Sequence, residues 1–137
     1  MSGQRHSLAA AWLPLFGLLL LLCFTGPLRA ALNPEDLLEP EKAFRFSAQA
    51  VGGGEVEVRY RIAPGYYLYR ERLKFEAEPA ATLTPQFPPG LPHDDKFFGR
   101  QEIYRGDLAI RLAVKDAERF KLTVTSQGCS DAGVCYV

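Results

Sequence analysis

The sequence is short of the residues that most often carry chemistry. It holds three cysteines and two histidines, His6 and His93. So thin a set of donors argues against a metal centre. Two cysteines with one histidine would make a minimal site even for a soft metal. Charge of one sign is lacking too: 16 Lys and Arg residues face 16 Asp and Glu, for a formal net charge of zero. Without a basic stripe, nucleic acid is excluded as an expected partner. Helical periodicity of useful length, internal repeats and low-complexity segments are also missing. The function must therefore rest on a few residues set on a β scaffold.

The first thirty residues do not belong to that scaffold. Arg5 and His6 precede an apolar run, Leu8 to Phe24, which Gly26-Pro27 then breaks. Basic start, apolar middle and breaker make the pattern of a secretory signal peptide. The run stops short of the roughly 20 residues of a membrane-spanning helix, and Pro14 and Gly17 interrupt it. Cleavage is expected after Ala30. Cys23 reads as apolar filler within the segment. The remaining chain carries 14 basic and 16 acidic residues and two cysteines, Cys129 and Cys135. In an oxidising compartment such a pair most often becomes a disulfide.

Residues 31–43 are polar, with two prolines, and read as a lead-in segment. After them the period is two. Phe44 and Phe46 alternate with Arg45 and Ser47, and Gly52-Gly53-Gly54 forms a turn. EVEVRYRI then sets Val56, Val58, Tyr60 and Ile62 on one face against Glu55, Glu57, Arg59 and Arg61 on the other. RLKFEAE (Arg72 to Glu78), LAIRLAV (Leu108 to Val114) and FKLTVT (Phe120 to Thr125) alternate in the same way. The proline-rich stretch between Pro79 and Pro92 predicts edge strands and ordered loops. Five or six short strands predict an all-β fold for residues 44–137, an immunoglobulin-like antiparallel β-sandwich.

The cysteine pair lies in QGCSDAGVC, Gln127 to Cys135. Asp131-Ala132-Gly133 supplies turn residues, so the two cysteines are expected on the arms of a hairpin, within the roughly 4.4–6.8 Å between Cα atoms that a disulfide needs. Three readings stand open: a structural staple, a redox pair and a metal clip. A staple closing so short a loop is worth about 2–2.5 kcal/mol, and it joins points a hairpin already holds together. The spacing is not a zinc pattern. It also lacks the two-residue gap of thioredoxin-type pairs, in which a helix end lowers the thiol pKa. Two further stretches bear on the choice. GYYLYR places Tyr67 and Tyr69 on a common face of an extended segment. HDDKFFGRQEIYR exposes Phe97-Phe98 in a charged loop, where so much apolar area needs a packing partner or something to cover.

GYYLYR, HDDKFFGRQEIYR and QGCSDAGVCY, in that order, resemble the N-terminal periplasmic domain family of the thiol:disulfide interchange protein DsbD. The likeness covers roughly Phe44 to Tyr136. It implies a periplasmic thiol:disulfide oxidoreductase domain that needs no cofactor and relays reducing equivalents through Cys129 and Cys135. The implied electron donor is a thioredoxin-like domain; the implied acceptors are a periplasmic disulfide isomerase and thioredoxin-like proteins of cytochrome c maturation. By the same resemblance Cys135 forms the mixed disulfides and Cys129 resolves them. Asp95, Lys96, Phe97, Phe98 and Gly99 fall on the family's cap loop, with Phe97 as the shielding ring. Tyr67 and Tyr69 border the pair, and Asp95 is a nearby carboxylate that disfavours the thiolate. Lys96 stands where the family often has a second acid, and its ammonium would favour a nearby thiolate. In the family Cys-Tyr is followed by a further strand, a membrane-embedded domain and the thioredoxin-like domain. Residues 44–137 are therefore expected to be a domain truncated at its C-terminus, with membrane contact only through the missing part. The competing expectation is a non-enzymatic exported β-sandwich that binds a partner and carries a structural hairpin disulfide.

Overall fold

A computed structural model describes residues 36–137. The expected signal peptide, residues 1–30, lies outside the described residues, among which no helix is long and apolar enough to cross a membrane. Among the described residues, eleven strands follow a helical turn, Pro40–Ala43, and a 3-10 turn, Arg70–Arg72, lies between the third and fourth of them. The Pro40–Ala43 turn opens on a proline, whose fixed φ suits a first helical turn, and it buries Ala43 completely.

Three antiparallel sheets build the domain. The first has the order β1-β2-β8-β5, made of Phe44–Gly52, Glu55–Ile62, Asp107–Lys115 and Thr82–Gln86. The second has the order β11-β10-β3-β7-β6, made of Cys135–Tyr136, Gly128–Ser130, Tyr66–Tyr69, Gly99–Tyr104 and Leu91–Asp95. A two-stranded ribbon pairs β4 (Lys74–Glu78) with β9 (Lys121–Thr125). Alternation puts Val58, Tyr60 and Ile62 of β2 and Leu108, Ile110 and Leu112 of β8 into one core. Tyr66 and Leu68 of β3 and Tyr104 of β7 meet them from the second sheet, and Phe75, Leu122 and Val124 of the ribbon pack alongside. This is the all-β antiparallel sandwich that the two-residue period predicts.

The strand count is higher than five or six partly because β3, β10 and β11 are four residues long or shorter, too short to display a period, and partly because β7 is exposed at its start and buried at its end and does not alternate. Phe46 also departs from the pattern. It is 50% exposed because β1 forms an edge of its sheet. The prolines behave as read: Pro85 lies in β5 and Pro92 in β6, both edge strands, where a missing backbone donor costs no ladder bond. Glu57 faces away from the core yet is buried, paired with Arg59 at 2.6 Å and Arg111 at 3.3 Å. The Arg59 hydrogen bond holds its carboxyl below the usual carboxylate range.

Candidate functional site around the Cys129–Cys135 hairpin

All four residues of β3 are buried, and this positions the site. Tyr66 and Leu68 enter the main core, whereas Tyr67 and Tyr69 join Ile103 and Cys129 in a second cluster on the opposite face. Cys129 lies directly across from Tyr67 on one side and from Cys135 on the other. Side chains opposite one another in a ladder share a face, so both tyrosines and both cysteines stand together. Gly128 makes this approach possible. A Cβ there would come within 2.4 Å of the Tyr67 carbonyl oxygen.

Cys129 and Cys135 form a disulfide with Cα atoms 4.0 Å apart. This is closer than the hairpin expectation, because the pair occupies a non-hydrogen-bonded position, where facing strands approach most nearly. The flanking bond runs from the Ser130 N–H to the Val134 oxygen, at 2.8 Å. Gly133 turns the chain with φ +86°, and the Ser130 hydroxyl accepts the Val134 N–H at 3.3 Å. The two sulfurs differ in access: Cys129 is fully buried and Cys135 is exposed.

The loop between β6 and β7 faces them. Asp95 Oδ1 accepts the backbone N–H of Phe97 at 2.7 Å and of Phe98 at 3.0 Å, which fixes the tip. Its other oxygen accepts the Tyr69 hydroxyl and lies 3.8 Å from His93 Nε2. The Tyr69 hydrogen bond, the two loop amides and His93 hold the Asp95 carboxyl below its usual range. Burial, with Asp95 beside it, pushes the Tyr69 phenol well above its own. The Tyr69 oxygen sits 3.5 Å from Cys129 Sγ, so a chain of polar atoms runs from the loop to the buried sulfur.

The two phenylalanines separate. Phe98 packs edge-on against Tyr69, with ring centroids 5.6 Å apart, under the Arg72 guanidinium at 4.5 Å. Phe97 is 79% exposed. An open cleft of about 220 Å³ lies between the loop and the hairpin, lined by Tyr67, His93, Lys96, Phe97, Asp131 and Cys135 among others. The structure thus brings Tyr67, Tyr69, Asp95 and both cysteines together and sets Lys96 and Phe97 on the cleft wall. In this oxidised form the loop stands over the site without covering Cys135. Sequence reasoning missed Arg105 and weighed His93 only as a metal donor. The His93 ring packs at a tilt against Tyr67, with centroids 4.8 Å apart, a contact for which the sequence holds no local signal. Among the described residues, no three His, Cys, Asp or Glu side chains cluster as metal ligands would.

Fold and site define a class: a small antiparallel β-sandwich with an accessible cross-strand disulfide beside an aromatic, carboxylate-anchored loop. Residues 34–137 match the family model described as "Thiol:disulfide interchange protein DsbD, N-terminal", and the chain belongs to that family. It is 49% identical over 138 residues to the thiol:disulfide interchange protein DsbD of Ralstonia nicotianae, a match covering 93% of this chain and 22% of that protein. It is 48% identical over 102 residues to DsbD 2 of Pseudomonas aeruginosa, covering 74% and 17%. The chain therefore spans about a fifth of the length of these relatives. Among solved structures, the reduced N-terminal domain of Neisseria meningitidis DsbD aligns with TM-score 0.69 at 41% identity, covering 77% of this chain and 86% of that one. A complex between the DsbD and PilB N-terminal domains of the same organism aligns with TM-score 0.65 at 42% identity, covering 74% and 81%.

Proposed function

We propose that this domain is a thiol:disulfide oxidoreductase module acting in the periplasm, with Cys129–Cys135 as its redox pair. The observation that carries the proposal is the asymmetry of access. Cys135 is exposed on an open cleft, and Cys129 is fully buried against Tyr69. A structural staple gains nothing from an exposed sulfur, whereas exchange requires one sulfur in reach of a partner thiolate.

The chemistry follows from that asymmetry. A donor thiolate attacks Cys135 Sγ, the bond to Cys129 breaks, and Cys129 leaves as a thiolate that takes up a proton. The donor's second thiolate then attacks the mixed disulfide and releases Cys135. Two electrons and two protons have passed to the pair, and the donor holds a new disulfide. Against an acceptor disulfide the steps reverse, with Cys135 attacking and Cys129 resolving. Asp95 would damp this reactivity between encounters, because a nearby carboxylate and burial both disfavour a thiolate. A donor of the thioredoxin-like class suits an open cleft on which a single sulfur is exposed. The meningococcal DsbD–PilB complex supports a protein partner at this domain, and disulfide isomerases and cytochrome c maturation proteins are the proposed acceptors.

Equilibration against glutathione and dithiothreitol tests the reading. A potential in the range of exchange proteins, about −120 to −270 mV, is expected; one below about −300 mV would mark a structural staple and overturn it. Cys129→Ser should trap a mixed disulfide with a thioredoxin-like protein through Cys135, and Cys135→Ser should trap none.

A further inference from the structure

We infer that Arg105 is a positioning residue for this exchange, holding the Ser130–Val134 turn so that Cys135 stays opposite Cys129 while the bond between them is open. The inference rests on the exchange reading above and adds to it a residue outside the hairpin and the loop.

Arg105 follows β7, where Gly106 turns the chain with φ +67°. Its guanidinium grips Asp131 with both arms, Nη2 to Oδ1 at 2.7 Å and Nη1 to Oδ2 at 3.2 Å. Nη1 also donates to the Tyr66 carbonyl at 3.3 Å, and the guanidinium lies over the Tyr67 ring at 5.0 Å. Asp131 is tied a second time, its N–H donating to the Gly65 oxygen at 2.8 Å. The turn between the cysteines is thus fastened to two other turns of the domain. A two-armed guanidinium–carboxylate pair fixes direction as well as distance, although both side chains reach solvent, Arg105 at 36% and Asp131 at 55% exposure.

The fastening has different work in the two redox states. While the disulfide is closed, it fixes the hairpin covalently and the clamp is redundant. Once it opens, the turn between the cysteines is held, among the described residues, by the β10–β11 ladder and by this clamp. The clamp then keeps the turn from fraying and holds the two thiols at a high effective concentration. Closure of the disulfide becomes more favourable, and the potential of the pair more negative.

Arg105→Ala should therefore shift the equilibrium toward the reduced pair by roughly three- to tenfold, about 15–30 mV toward less negative potential at 29.6 mV per tenfold. The thermal midpoint of the oxidised protein should move little. Asp131→Asn should give a shift of the same sign, and it serves as the test if Arg105→Ala does not fold. The double variant should add little, because each residue acts through the other. A merely structural contact would lower the midpoints of both redox forms and leave the potential unchanged. Unshifted potentials in both variants, or shifts that add, would overturn the clamp and leave the exchange reading standing. A wild-type pair that glutathione and dithiothreitol leave oxidised would overturn both.

Discussion

Gly128→Ala offers the sharpest test of how the site is assembled. Gly128 does not owe its place to a left-handed φ; it is required by space. An added Cβ would lie 2.4 Å from the Tyr67 carbonyl oxygen, 2.7 Å from Phe44 Cζ and 2.8 Å from Leu68 Cδ2. Two of these atoms belong to side chains in or against the core, and the nearest is backbone of a buried strand. None can retreat cheaply, so β10 must move away from β3, stretching the ladder that carries Cys129. Overpacking of this kind costs about 1–3 kcal/mol, and the backbone obstacle puts the expectation at about 2–3 kcal/mol. At roughly 4–8 °C per kcal/mol for a domain of this size, the thermal midpoint should fall by roughly 10–20 °C. Gly133→Ala is the control. Gly133 has φ +86° with nothing within 4 Å of an added Cβ, so only the left-handed backbone is penalised, at about 1 kcal/mol. Urea unfolding of the oxidised proteins, followed by circular dichroism, measures both. If Gly128→Ala proved as stable as Gly133→Ala, the close approach of β10 to β3 would be wrong, and with it the placement of Cys129 beside Tyr67.

Two further tests concern the loop over the pair. Asp95→Asn should weaken protection of the Phe97 and Phe98 amides in hydrogen exchange and speed alkylation of the reduced cysteines, since a damping charge is lost; an unchanged alkylation rate would remove Asp95 from the chemistry. The same carboxylate sets a pH window. Because its folded pKa is depressed below 3.8, the stabilisation it gives the loop is full above the unfolded value and is lost as the pH falls through the depressed one. Amide protection at the tip should therefore hold at about pH 5 and fail only at more acid pH. Phe97→Ala should leave stability unchanged, since the ring is 79% exposed. Phe98→Ala should cost about 1–2 kcal/mol by losing its edge-on contact with Tyr69 and its cation–π partner Arg72. Equal unfolding midpoints for the two variants would contradict this division of roles.

The parts of the molecule legible in the sequence are those with one wet face and enough length to show it. EVEVRYRI and LAIRLAV announce β2 and β8 because five or more residues alternate between core and solvent. The prolines announce β5 and β6 as edges because a missing donor within a strand is tolerated best there. β3 hides its character: YYLY is buried on both faces, so nothing alternates, and the sequence alone could place Tyr67 with Tyr69 but not say what lay against either face. The β10–β11 hairpin is hidden for the opposite reason, being too short for any period.

This division explains why the cysteine spacing left a staple and a redox pair both open. Spacing reports that two cysteines can meet, and a hairpin satisfies it in either case. What separates the two chemistries is access, and access is set by partners distant in sequence. Tyr67 and Tyr69 come from β3, Asp95 and Phe98 from the β6–β7 loop, and Arg105 from the turn after β7. Each of these contacts spans 26 or more positions of the chain, Tyr69 to Asp95 and Arg105 to Asp131 being the shortest. The burial of Cys129 is therefore a product of sheet order, which places β10 between β11 and β3. Cys135 lies one strand further out in that order and is exposed among the described residues.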